Sequence, residues 1–408
     1  MARVNGAPGS VAPGSVAEHA IRVRRMLEPA IGTASATTAT VALGDALGRV
    51  TAGVVLSPVD LPLFRNSQMD GFAVSTADLT TLPARLHIVG EVSAKASNPA
   101  PLVPGTAVRI MTGAVVPEGA DAVIPVEDAT LEGDILIASR GRTTGEFVRE
   151  KGSDLHAGDQ LIPAAQRLAP RHLAALAAAG IASVAVRGLL RVALITTGSE
   201  LVSPGEPVQL GQVYDSNGTA LAAAVAACGA TVTYREHVFD DTTAMLAALA
   251  SAADSADIIL TSGGISMGDY EVVRASLEPL GAVVTTIAMQ PGGPQATAVF
   301  KGVPVICFPG NPVSTQLSFE IFVAPLLRDA AALPAAVREQ RILVGDAQSV
   351  AGKRQFLRGR ALSGGRVELV SGASSHLVAA LAASDLLVDV PLERTVLKSG
   401  ETVETLAL

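Results

Sequence analysis

Three stretches between Arg191 and Ser314 carry side chains suited to holding an anion. RVALITT (191–197) runs into Gly198, Ser199 and Glu200; DIILTS (257–262) runs into GGISMGDY (263–270); PVICF (304–308) runs into PGNPVS (309–314). Each apolar, β-branched run reads as a strand, and each is followed by Gly, Ser, Thr or an acid. In a parallel sheet such loops gather at the carboxyl ends of the strands, the edge where open α/β sheets bind ligands. Glycine lets backbone N–H groups approach an anion, and the N-terminus of a following helix favours negative charge. Ordinary turns are the competing reading, but three such loops in succession favour a phosphorylated ligand. The candidate ligand-binding residues here are Thr197, Gly198, Ser199, Ser262, Gly263, Gly264, Ser266, Pro309, Gly310, Asn311 and Ser314.

The elements that would position these loops follow from periodicity and turn residues. Residues 1–15 are rich in Gly, Pro and Ala and are expected to be a disordered tail. VAEHAIRVRRMLEPA (16–30) reads as a helix with Ile21, Met26 and Leu27 near one face, and LGDALGRV (43–50) as a second, short helix. Short β-like runs alternate with Pro/Gly turns from 54 to 145, and LAPRHLAALAAAG (168–180) returns to helix. The expected layout is a helical/linker domain from 16–53 plus 146–187, an inserted β-rich domain at 54–145, an α/β domain at 188–332 and a C-terminal β-barrel-like domain at 333–408. The α/β helices are expected at 217–229, 242–254, 270–281 and after PGNPVS, with Asn217 and Asp241 as helix-start residues. No repeat at solenoid spacing is present.

Composition narrows the function classes. With 408 residues, two to four domains are expected, and 49% hydrophobic residues suffice for sizeable cores. A net charge of −8, with no cluster of Lys and Arg between aromatics, argues against nucleic-acid binding. Cys228 and Cys307 lack metal-ligand spacing and read as buried small hydrophobes in a reducing compartment. The six histidines form no ligand cluster. MARVNGAPGSVAPGS lacks a signal-peptide core, and LAALAAAGIASVAV is too short to span a bilayer. A cytoplasmic protein with no direct membrane insertion is expected.

Six motifs then occur in order: NSQMDGFAV (66–74), RIMTGAVVPEGADAVIPVED (109–128), TTGSEL (196–201), YDSN (214–217), SGGISMGDY (262–270) and PGNPVS (309–314). Together, over roughly residues 16–408, they resemble the molybdopterin molybdenumtransferases, the bacterial MoeA family, also represented by the C-terminal domain of gephyrin. The resemblance implies a four-domain, elongated homodimer with a molybdopterin-binding α/β domain and active sites shared between subunits. It implies that adenylylated molybdopterin and molybdate are converted to molybdenum cofactor and AMP with the help of Mg²⁺.

Position by position, the resemblance implies active-site roles for Asp70, Thr112, Asp154, Glu200, Asp240 and Asp269. Asp70 and Thr112 would reach the partner subunit's cleft, Glu200 and Asp269 would serve the metal, and Asp215 of YDSN would face the pterin. Ser314, Arg358 of FLRGR and Ser375 of SSHL fall at implied molybdate positions; a guanidinium and hydroxyls suit a tetrahedral oxyanion. Bland roles compete: a turn at Asp70, a helix cap at Asp241 or Asp269, a solvated strand residue at Arg358. Many members of the family carry lysines in a K-P-G-K-P-like loop, whereas this chain reads Gln290, Pro291, Gly292, Gly293, Pro294. Weakened molybdate capture is therefore expected. The alternatives are a catalytically weak, gephyrin-like dimeric scaffold taking a partner's peptide tail in a groove, and a general nucleotide or phosphosugar-binding α/β enzyme.

Overall fold

The computed structural model describes residues 14–96, 98–265 and 271–408. Most of the expected N-terminal tail (1–13) and the 266–270 part of SGGISMGDY lie outside the described residues. The chain divides into two units. One holds the described residues of Met1–Ala39, Gly48–Val50 and Val186–Leu408; the other holds Thr40–Leu47 and Thr51–Ala185.

The larger unit is built round a six-stranded sheet in the order Thr231–Val238, Arg191–Thr197, Ile258–Ser262, Val303–Phe308, Pro294–Phe300, Val283–Thr286. The first four strands are mutually parallel, and the last two pairings are antiparallel because Pro294–Phe300 runs against the rest. Both faces are covered, which is why the parallel strands read as unbroken apolar runs. Val192, Leu194, Leu260, Ile306 and Phe308 join Leu221 and Val225 in one core. Ala193, Ile195, Ile259, Val305 and Cys307 join Met245 and Leu249 in another. This is the period-two alternation of a strand serving two cores. Both cysteines are buried as expected, and burial pushes the Cys307 thiol up to about 12. Asp241 caps helix Thr242–Ser255 by accepting from the Ala244 N–H (2.6 Å). The other expected helix start moves by two residues: Asp215, not Asn217, caps helix Ser216–Ala227. An ionised carboxylate accepts a backbone N–H better than an amide oxygen does.

In the same unit, five strands close into a barrel in the order Arg354–Leu362, Arg366–Leu369, Arg338–Val344, Thr402–Ala407, Leu386–Val390, and back to Arg354–Leu362. Leu343, Leu357, Val367, Val388 and Val403 fill it. A sixth piece, Met289–Gln290, pairs in parallel with the start of Arg354–Leu362, with Gln290 opposite Gln355.

The smaller unit carries a mixed six-stranded sheet in the order Ala122–Pro125, Gly71–Val74, Thr106–Ile110, Ala84–Val92, Ile135–Ala138, Thr130–Glu132. Phe72 and Val74 enter one core and Ala73 the other. A Cβ at Gly71 would lie 2.1 Å from the Ile124 carbonyl oxygen, so glycine after Asp70 is a condition of strand pairing. LGDALGRV forms only a single 3₁₀ turn, Leu43–Asp45. Gly44 and Gly48 make a continued helix costly.

Helix Val16–Ala36 is capped by Ser15, whose hydroxyl accepts from the Glu18 N–H (3.1 Å). Its buried row is Val16, His19, Val23, Leu27 and Ala34, packed into the core of the α/β sheet. The sequence pattern places Ile21, Met26 and Leu27 near one face of this helix. Ile21 is 40% exposed. It lies six residues before Leu27, about 240° round the helix, so the two cannot share a face.

His19 is 2% exposed, edge-on to Phe322 at 4.7 Å between ring centroids, and neither ring nitrogen has a partner. Burial first, and Arg22 second, lower its pKa from 6.5 to about 4. The folded state therefore resists a proton that the unfolded chain accepts. Stability is intact above about pH 6.5 and falls as pH drops towards 4, by at most on the order of 3 kcal/mol. Denaturant midpoints followed by far-ultraviolet circular dichroism are expected to fall between pH 7 and pH 4.5, and to fall less in His19→Leu. An equal fall in both proteins would assign the pH dependence to other groups.

Candidate active site

Three loops at the carboxyl ends of the parallel strands approach so closely that their glycines leave little or no room for a side chain. Gly263 has φ +97°, and a Cβ there would sit 2.6 Å from the Thr197 carbonyl oxygen. A Cβ at Gly310 would in turn meet the Gly263 Cα at 3.3 Å. A buried polar chain locks this stack. Asn217 Nδ2 donates to Ser262 Oγ (2.9 Å) and to the Gly310 carbonyl (2.7 Å). Ser262 and Thr315 hydroxyls meet at 3.1 Å, and Thr315 Oγ1 donates to the Pro309 carbonyl (2.6 Å). Thus YDSN joins two glycine-bearing loops that are distant in sequence.

The loops wall a cleft of about 790 Å³ whose other side is the Gln290–Pro294 loop, Lys353 and Ala373–Ser375. Of the residues expected from sequence, Thr197, Gly198, Glu200, Asp215, Asp240, Ser262, Gly263 and Gly264 line it. So do Pro309, Gly310, Asn311, Ser314 and Ser375. Ser199 stands just behind, its N–H and hydroxyl donating to Asp240 Oδ2 (3.1 and 2.7 Å). Glu200 folds back over Gly198, where a Cβ would come within 2.6 Å of its carboxylate. Val313 N–H donates to the Ser375 carbonyl (3.0 Å), tying PGNPVS to the barrel side. Thr197 Oγ1 and Asn217 Oδ1 are buried on the cleft wall without a partner.

Other expected residues are placed differently. Asp215 accepts from the Gly218 N–H (2.9 Å) and Thr196 Oγ1 (3.0 Å) and lies 3.8 Å from Arg235, so both its oxygens serve the protein. Arg358 is 2% exposed and does not line the cleft. Its guanidinium donates to the carbonyls of Gly372 and Ser374 (3.0 Å for the latter), and burial lowers its pKa from the ordinary arginine value. It shapes the loop that presents Ser375. Asp70 and Thr112 belong to the smaller unit and form one constellation: the Thr112 N–H (2.6 Å) and hydroxyl (2.7 Å) both donate to Asp70 Oδ1. The backbone bond first, then the hydroxyl, hold the Asp70 carboxyl below its usual range. Asp154, also in that unit, is not bonded to this pair; its backbone N–H donates to the Leu61 carbonyl (2.9 Å). Ser266 and Asp269 lie outside the described residues.

Asn217 and Lys353 are among the cleft residues that sequence reasoning missed. Asn217 was visible in YDSN but was read as a helix start. Lys353 stands in no motif; only the pairing of Met289–Gln290 with the barrel strand brings it to the cleft.

An α/β sheet with a glycine-rich ligand edge, joined to a barrel and accompanied by a separate β-rich unit, defines a multidomain α/β protein with a candidate ligand cleft at the carboxyl ends of its strands. Residues 15–180 match the MoeA N-terminal region (domain I and II), 193–329 a probable molybdopterin binding domain, and 342–408 the MoeA C-terminal region (domain IV). The chain is 39% identical over 379 residues to molybdopterin molybdenumtransferase 2 of Mycobacterium tuberculosis, covering 90% of this chain and 94% of that one. It is 36% identical to molybdopterin molybdenumtransferase of a Nostoc species, covering 91% and 89%. The crystal structure of a molybdopterin biosynthesis MoeA protein from Pyrococcus horikoshii superposes with a TM-score of 0.79 at 32% identity, covering 94% and 98%. The chain belongs to the MoeA family of molybdopterin molybdenumtransferases.

Replacing Asn217 by alanine leaves Ser262 and the Gly310 carbonyl without their shared donor. Loss of such a buried bond costs about 1–3 kcal/mol. Asn217→Ala should show that loss in urea denaturation, together with faster hydrogen exchange at residues 262–264 and 309–311. Exchange unchanged at both loops would mean that the amide does not hold them.

Proposed function

We propose that this chain inserts molybdenum from molybdate into adenylylated molybdopterin, releasing molybdenum cofactor and AMP. The observation that carries this reading is the wall of three strand-end loops, fixed by Asn217, around a polar cleft in a chain of the MoeA family. Thr197 Oγ1 and Asn217 Oδ1, buried and unbonded, suit a heterocycle that offers its own donors and acceptors.

The cleft lining includes the carboxylates of Glu200, Asp215, Asp240 and Glu271. An anionic pyrophosphate beside them needs a counter-charge. Among the described residues, no three His, Cys, Asp or Glu side chains converge as a metal cage. Glu200 and Asp240 nevertheless offer hard oxygen donors at one end of the cleft. One or two carboxylates completed by substrate phosphate oxygens and water is the habit of Mg²⁺. Glu200 and Asp240 would hold it, and bound Mg²⁺ would offset charge on the phosphates. Ser199 keeps Asp240 oriented, and Gly198 leaves Glu200 room to swing over the ligand.

The Asp70–Thr112 pair is exposed, ionised and rigid. We place it, with Asp154, in the cleft of a second copy of the chain. The homodimer is checked by light scattering, where a stable monomer at micromolar concentration sinks that part of the reading. Among the described residues no helix is long and apolar enough to cross a membrane.

The direct test is AMP release on mixing the protein with adenylylated molybdopterin, molybdate and Mg²⁺. Glu200→Gln should lower turnover by about 10- to 100-fold and raise the Mg²⁺ needed, with little loss of stability. Absence of AMP and of molybdenum-loaded pterin at every molybdate and Mg²⁺ concentration would falsify the transferase reading.

A further inference from the structure

The cleft is electrically lopsided. Its acids Glu200 and Asp240 follow the strands Arg191–Thr197 and Thr231–Val238, at one side of the sheet. The Gln290–Pro294 loop enters strand Pro294–Phe300, three to four strands away. At about 4.8 Å per strand that is roughly 14–19 Å. Lys353 stands at that far side and is the one Lys or Arg among the described lining residues.

Other basic groups nearby are committed elsewhere. Arg354 donates to Asp389 through two nitrogens (2.7 and 2.6 Å). Arg358 is buried against backbone carbonyls. Lys301 occupies the turn at the opposite end of strand Pro294–Phe300, roughly 20 Å along it. Gln290 is neutral, and its Oε1 accepts from Gln355 Nε2 (2.7 Å). Lys353, in contrast, is exposed, and among the described residues it has no acidic partner. It directly precedes Arg354, whose N–H donates to the Ala288 carbonyl (2.9 Å), so the lysine is anchored beside the Gln290 loop. Ser314 and Ser375 line the same cleft, and their hydroxyls make no hydrogen bond among the described residues.

We propose that Lys353 supplies the positive charge that captures the tetrahedral oxyanion substrate at the barrel side of the cleft, beside Ser314 and Ser375, where the resemblance already implies molybdate. The inference rests on the transferase reading above: it assigns the molybdate end to Lys353 and the phosphate end to Glu200 and Asp240. A dianion entering a cleft lined by four carboxylates needs such a charge. An ammonium on a flexible stem acts as a point charge for an oxyanion without demanding a bidentate fit.

The experiment compares wild type, Lys353→Met and Lys353→Arg, with circular dichroism confirming the fold. Turnover is measured against molybdate at saturating adenylylated molybdopterin, and against the pterin at saturating molybdate. Lys353→Met should raise KM for molybdate about tenfold or more, leave KM for the pterin within about twofold, and be largely rescued by arginine. An unchanged molybdate KM, a shift confined to the pterin KM, or no rescue by arginine overturns the assignment. Equilibrium dialysis of the free protein against molybdate, with molybdenum counted by mass spectrometry, separates this from failure of the transferase reading. If wild type does not turn over, the assignment stands only if wild type binds molybdate, added salt weakens that binding, and Lys353→Met loses it. Equal binding by both proteins, or none by wild type, overturns it.

Discussion

The ligand edge depends on how closely three loops approach one another. Gly263 lies against the Thr197 carbonyl at a separation where any side chain would collide, and Gly310 lies against Gly263 closer than side chains ordinarily pack. Backbone packed this tightly has few places left for its polar groups, and a buried carbonyl without a donor is costly. The Asn217 amide resolves this by donating to one loop's side chain and the next loop's carbonyl at once. Helix Ser216–Ala227 must therefore begin where it does. Asp215 fixes that start, and so its carboxylate is engaged by the helix and by Thr196 rather than offered to a ligand.

The same constraint sets the electrostatics. Strands that end at one edge bring their acidic loop residues to one side of the cleft, because sheet order rather than sequence order decides which loops are neighbours. Strand Pro294–Phe300 runs antiparallel, so its entry loop, not its exit, arrives at that edge. The barrel then docks on this entry through the Met289–Gln290 pairing. Acid at one end and base at the other would orient a long anionic substrate, since its two charged ends would meet different neighbours.

Much of this was legible in the sequence. The apolar strand runs and their Gly/Ser/acid exits identified the ligand edge, because burial on both faces of a parallel sheet leaves a signal in every residue. The six ordered motifs identified the family. Asp241 was read as a cap and is one. Illegible were features set by long-range pairing. Helix Val16–Ala36 shows its own polarity but not what it covers. Arg358 in FLRGR looks like a free guanidinium until the barrel turns it toward Gly372 and Ser374. Lys353 belongs to the cleft only because a two-residue strand from the α/β domain pairs beside it.

That last pairing bears on what replaced the expected basic loop. A lysine at position 290 would face Gln355 across the junction with the barrel; the glutamine there instead makes a neutral side-chain bond (2.7 Å) to it. Gln295, fully buried, donates to the Gly292 carbonyl (2.8 Å) and to Ser318 Oγ (2.7 Å), holding the other end of the loop. The loop is thereby fixed at both ends by uncharged hydrogen bonds, which avoid the desolvation cost of burying an ammonium. A cation one strand over, at an exposed position, keeps its hydration until a ligand arrives. Rigidity and charge, which a loop lysine would combine in one residue, are here divided between Gln290 and Lys353.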